Sequence, residues 1–151
     1  MTAQVHEKII FNSKTESMIP CPPIIYSPEL ITELSEKEIQ KANKAGKLDH
    51  IIYSSGCWRG YIGTWEIKDN KFFLNHLEGR IKLVKNEPVH ATWFTGNIRI
   101  LQGEIRLIDL RFLYEKEIHI KIEAGIVTEQ ITIDTNKLSY EEQLKLVLCG
   151  R

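Results

Sequence analysis

Cys57 is the residue of this chain best suited to covalent chemistry. A thiol becomes a nucleophile when a base can take its proton, and His50 and His76 stand on either side of it in the sequence. A hairpin turning at Asp69-Asn70 puts His76 opposite Gly63, near the glycine-rich stretch that carries Cys57. The plainer reading is a small free cysteine packed as an apolar group. Acid–base work needs two carboxylates held in one cleft. Glu66 and Glu104 are the candidates, against the ordinary expectation that glutamates on a half-solvated sheet are exposed charge. His6, His50, His76, His90 and His119 never fall two or four apart, and no Cys-x-x-Cys occurs. The spacing therefore supports no metal site. No glycine-rich phosphate motif appears, and no cofactor is expected.

Two groups of residues suit binding better than catalysis. Trp58, Arg59 and Tyr61 lie on a tight loop between Gly56, Gly60 and Gly63. Aromatics and arginine are enriched where partners are gripped, although the same residues could simply cover one end of a core. Arg99 and Arg106 form the second group. If Leu101 to Glu104 is a turn, pairing Ile100 with Ile105 and Ile98 with Leu107 keeps one apolar face intact. It also sets the two guanidinium groups side by side, which destabilises a sheet unless something offsets it. A neighbouring acid would do so, and so would an anionic partner, since arginine suits carboxylate and phosphate.

The elements that must position these residues are mostly strands. Asp69-Asn70 tolerates the positive φ of a two-residue hairpin. It aligns Lys68 with Lys71, Ile67 with Phe72 and Trp65 with Leu74, with Glu66 and Phe73 on the other face. Residues 4–19 read as an N-terminal hairpin turning at Asn12-Ser13-Lys14. Pro20, Pro22 and Pro23 end it. Residues 28–46 read as a helical insert. A short helix opens at Ser27-Pro28, and a second spans about 36–45 behind a Ser35–Glu38 capping box. Leu48 to Tyr53 leads into a β core over 51–134. It holds a short strand at Ile81–Val84, a long strand from Val89 to Ile100 bent at Gly96, and a bulge near Leu107. Ile118, Ile120 and Ile122 form a half-buried strand that turns at Ala124-Gly125 into Ile126–Asp134. That register sets Ile122 against Val127 and Ile118 against Ile131. A C-terminal helix over 140–148 starts at a Ser139–Glu142 capping box and stops at Gly150. Trp65, Ile67, Phe72, Leu74, Ile98, Ile100, Ile105, Ile118, Ile120 and Ile122 should form the core.

The expected fold class is mainly β (α+β): an antiparallel β-sandwich or barrel-like meander with a helical insert and a C-terminal helix. The 151 residues suit a single domain, 1–151. Twenty basic residues cancel twenty acidic ones, which disfavours nucleic acid or an anionic membrane as partner. No apolar run approaches the roughly 20 residues of a membrane span, and the first residues do not read as an export signal. Cys21, Cys57 and Cys149 are odd in number and far apart. Free thiols in a reducing cytoplasm are the expectation.

Residues Cys57 to Ile67, Leu74, and Trp93 to Glu104 carry a second signal. They are similar to a family of small uncharacterised bacterial proteins with a WRGYxGTWEI segment and a later WFxGxxRIxxGE segment. The resemblance covers most of the chain and implies that the two segments belong to one architecture. It supplies no activity and no catalytic residue.

The residues favour a non-enzymatic binding domain of inhibitor, immunity or adaptor type. It would hold a protein or a small anionic ligand through Trp58, Arg59, Tyr61, Arg99 and Arg106. One alternative is a small hydrolase or transferase using Cys57 or a Glu66–Glu104 pair. Another is single-strand nucleic-acid binding through interleaved aromatics and basic residues.

Overall fold

The computed structural model describes residues 4–149. It is mainly β, with a C-terminal helix, as the residue patterns imply. Strands β1 (Glu7–Phe11) and β2 (Lys14–Ile19) form the N-terminal hairpin. Asn12 and Ser13 take positive φ at its turn. β4 (Tyr61–Lys68) and β5 (Lys71–Gly79) follow the hairpin expected around Asp69-Asn70. Trp65 faces Leu74, Ile67 faces Phe72 and Lys68 faces Lys71. An irregularity after Thr64 moves His76 opposite Thr64 and not Gly63.

The longest strands are β8 (Gly96–Ile108) and β9 (Arg111–Glu123), and β10 (Ile126–Asp134) follows them. With the two-residue β7 (Val89–His90), the main sheet runs β10-β9-β8-β2-β1-β4-β5-β7. β10 also meets β5 at Ile126 and Lys71, which closes the sheet into a barrel at that point. The meander is not wholly antiparallel, because β1 lies parallel to β4 through Lys8–Thr64, Ile9–Trp65 and Ile10–Glu66. Inward-facing side chains fill the barrel. Trp65 stacks on Phe72 with ring centroids 4.9 Å apart, and Ile9, Met18, Leu74, Ile98, Ile100, Ile120 and Ile122 are fully buried around them. A barrel of this size is filled by its own side chains.

Several local expectations need correction. No turn forms at Leu101–Glu104. β8 runs straight through, and a bulge between Gln102 and Ile105 absorbs the change of apolar phase. Gly103 sits there at φ 83, a left-handed conformation that glycine adopts without steric cost. Ile100 therefore pairs with Ile118, and Ile105, expected in the core, is half exposed. Ile67 is only partly buried. Ser27-Pro28 opens a turn and not a helix, since the chain enters β3 (Ile31–Glu33), which pairs with β6 (Ile81–Leu83). The Ser35–Glu38 capping box does start α1 (Glu36–Ala42). Leu48 to Tyr53 holds a short helix, α2 (Asp49–Ile52), which buries Ile51 and Ile52. Val89 to Ile100 is broken after His90, and β8 starts only at Gly96. A shift after Val127 sets Thr132, not Ile131, opposite Ile118.

α3 (Tyr140–Leu148) carries the expected Ser139–Glu142 capping box and buries Val147. The proposed stop at Gly150 lies outside the described residues. Ile108, Leu113, Val147 and Leu144 form a separate apolar cluster, which joins α3 to the β8–β9 hairpin. Among the described residues, no helix is long and apolar enough to cross a membrane.

Candidate functional site

Glu7 follows from a charged residue sitting in phase with Ile9 and Phe11 on β1. All three point inward, and the Glu7 side chain has no solvent exposure. A buried carboxylate persists only when donors surround it. Arg59 Nη2 donates to its Oε2 at 2.9 Å and Gly63 N–H to the same oxygen at 2.6 Å. Trp65 Nε1 donates to Oε1 at 3.2 Å, and the Cys21 thiol at 3.4 Å. Gly63 has to be glycine here, because a Cβ would stand 2.7 Å from Glu7 Oε1 and 2.8 Å from Trp65 Nε1.

The same segment holds the chain just ahead of Glu7. Val5 N–H donates to the Gly56 carbonyl and Arg59 Nη2 to the Val5 carbonyl. Gln4 bridges the loop, donating to the Ser55 carbonyl and accepting from Trp58 N–H. The loop expected to grip a partner thus clamps the chain's own N-terminal strand. Its charges respond accordingly. Burial works to lower the Arg59 pKa, yet Glu7 beside it holds the guanidinium above its ordinary value. Cys21 is exposed as a residue, but its thiol turns in against Glu7 and Tyr61, and the local loss of water, with Glu7 adding to it, pushes the thiol up to about 11. A thiol so far from ionisation is a poor nucleophile. Tyr61 is buried, lies under the Arg59 guanidinium at 5.6 Å, and has its hydroxyl pKa raised, chiefly by burial. Of the three loop candidates, only Trp58 is open to solvent, 68% exposed.

Arg99 and Arg106 are not side by side. Arg99 faces His119 and Arg106 faces Leu113. Arg99 makes a two-pronged pair with the buried Glu117, at 2.7 Å and 2.9 Å. His119 Nε2 stands 2.9 Å from the same carboxylate. The rest of the guanidinium donates to the Leu146 and Cys149 carbonyls, satisfying the C-terminal end of α3. Burial alone would raise the Glu117 pKa, but the bonds from His119 and Arg99 hold it below its ordinary value. The offset to Arg99 is therefore an acid of the neighbouring strand. Arg106 is exposed on the distal hairpin, beside a shallow cleft of about 160 Å³ shared with Glu104, Ile105, Glu115 and Asn136.

The catalytic candidates stay apart. Cys57 is buried and its thiol donates to the Tyr61 carbonyl at 3.4 Å. His50 on α2 and His76 on β5 are exposed, and neither is hydrogen-bonded to Cys57. Glu66 accepts from Asn75 at 2.8 Å on β4–β5. Glu104 lies three strands away on β8, with its N–H donating to Glu115. Among the described residues, no group of three or more His, Cys, Asp or Glu is placed to hold a metal ion.

What the residue patterns did not single out is the end of the β8–β9 hairpin. Ile105 pairs with Tyr114 and Leu107 with Phe112, so these four share one face. Ile108 and Leu113, on the other face, are buried against α3. Ile105, Leu107 and Phe112 are more than half exposed, and Leu110 at the turn is 93% exposed. Asp109 and Leu110 both have positive φ, 48 and 62. Leucine there is unusual, since this conformation favours Gly, Asn or Asp. The signal available in the sequence was Ile-Asp-Leu-Arg-Phe over 108–112, a two-residue turn with an apolar second position. No family model, curated protein or solved structure matches the chain.

Proposed function

We propose that this chain is a non-enzymatic protein-binding domain and that its contact surface is the exposed end of the β8–β9 hairpin. The observation that carries this is Leu110. A fully exposed leucine occupies a strained turn position, with Leu107, Ile105 and Phe112 exposed behind it. Backbone strain of this kind costs of order 1 kcal/mol and persists where it serves something. Contiguous exposed apolar residues mark interaction sites. α3 seals the opposite face, so the hairpin presents one apolar side on a stiff support. The occupant is a folded protein with a complementary apolar patch. The filled barrel and the engagement of Arg59 and Arg99 within the fold favour this over a small anionic ligand. Three free cysteines suit a reducing, cytoplasmic setting.

The test is to isolate the native complex, rebuild it from purified components and map it by hydrogen exchange. Binding should slow exchange over 103–114. Leu107→Ser with Leu110→Ser should abolish binding while the melting temperature stays near that of the wild type. Protection confined to 54–61, with binding retained by that double variant, would overturn the proposal.

A further inference from the structure

β10 pairs with β9 along its whole length, from Ile126 to Asp134. Among the described residues, its second edge is used only at the start, where Ile126 meets Lys71 and Val127 N–H donates to the Asn70 carbonyl. Beyond the irregularity after Val127, β10 parts from β5. Glu129, Gln130, Ile131 and Thr132 are all exposed, on both faces of the strand. In an antiparallel sheet alternate residues of an edge strand aim N–H and C=O groups outward, ready to pair with another strand. Natural edges are usually blunted by lysine, proline or an inward-pointing charge. Residues 126–134 contain no lysine and no proline, and the inward positions hold Gln130 and Thr132, opposite Ile120 and Ile118. The sheet's other terminal strand, β7, has only two residues.

We propose that this edge pairs antiparallel with the same edge of a second copy of the chain, about a two-fold axis through Ile131. The free segment decides the occupant. Its midpoint between Glu129 and Ile133 is Ile131, an apolar residue 51% exposed. Opposite residues of an antiparallel pair share a face, so the axis must pass through a residue. Centred on Glu129, it would oppose two carboxylates. Centred on Ile131, it sets Ile131 on its copy, Gln130 against Thr132 and Glu129 against Ile133, with no like charges opposed. Cross-strand pairs of these kinds stabilise a sheet. A chain with balanced charge does not repel its copy. A contact about a two-fold axis uses the same edge of both copies, so the assembly closes as a dimer. This contact is separate from the hairpin surface and does not depend on it.

Sedimentation equilibrium over a wide concentration range tests the proposal, using the wild type, Ile131→Lys and Ile131→Glu. The wild type should shift from monomer to dimer. Each variant alone should dimerise at least about fivefold more weakly, because like charges then face each other. An equimolar mixture of the two should regain dimer, as the opposite charges meet. Hydrogen exchange over 129–133 of the wild type should slow as concentration rises, which tests the edge without any substitution. A wild type that stays monomeric, an open-ended polymer, or variants that dimerise as well as the wild type would each overturn it.

Discussion

At the scale of single residues, Glu7 and Glu117 organise the arginines that the chain would otherwise offer to a partner. Each is a fully buried carboxylate held by one guanidinium and by further donors from its surroundings. Removing one partner of a buried pair leaves a bare charge. Arg59→Met keeps the apolar stem but strips Glu7 of its cation, and should cost about 3 kcal/mol in denaturant unfolding. An arginine reserved for a ligand would be removable at little cost. Glu117 adds a pH dependence. Its folded-state pKa lies below its ordinary 4.5, so the unfolded chain takes up a proton first on acidification. The stabilisation is complete above the ordinary value and is lost as pH falls through the folded value. Wild-type stability should therefore decline on acidification below about 4.5 more steeply than that of Glu117→Gln. The variant should be weaker at neutral pH, with the two curves converging in acid. Parallel urea titrations across that range check it. Leu110→Gly tests the turn: relieving a left-handed leucine should raise stability by about 1 kcal/mol while weakening partner binding.

At the scale of elements, the bulge at Gly103 and the helix α3 decide where the binding face ends up. A Cβ on Gly103 would lie 2.6 Å from Glu115 Oε2, at a φ that other residues resist. Gly103→Ala should thus destabilise the fold by about 1–2 kcal/mol, and exchange should quicken first over β8 and β9. The bulge also marks the limit of what the residues revealed. The β4–β5 hairpin was legible from Trp65 to Leu74 because Asp69-Asn70 fixes a two-residue turn and alternation fixes the register as far as the irregularity after Thr64. Ser35–Glu38 and Ser139–Glu142 announced their helices for the same local reason. Leu101-Gln102-Gly103-Glu104 was ambiguous, since a glycine needing positive φ serves a turn or a bulge equally well. Only the far pairing of Arg106 with Leu113 settles which. The parallel contact of β1 with β4 left no local trace, and the helix expected at Ser27-Pro28 was overridden by the pairing of β3 with β6. Arg59 and Tyr61 stood out in the sequence as candidates for gripping a partner. What they grip, Glu7 and the N-terminal strand, lies more than fifty residues away and is invisible to spacing.

For the whole molecule, the parts sort into a filled barrel, a clamp that seats its first strand, and a hairpin that projects an apolar face backed by α3. The segment from Trp58 to Ile67 supplies the clamp, and the later segment from Trp93 to Glu104 supplies the first part of β8, its bulge and Arg99. Both are thus accounted for by the architecture, and exposed apolar surface is concentrated elsewhere. The proposed contact surface is the hairpin and not the aromatic–arginine loop. Photo-crosslinking in the cell that makes the protein decides it most directly, with a benzophenone side chain placed in turn at Leu110 and at Trp58. Binding at the hairpin should give a discrete adduct from position 110 that disappears with Leu107→Ser, and none from position 58. A discrete adduct from position 58 with none from 110 would contradict it.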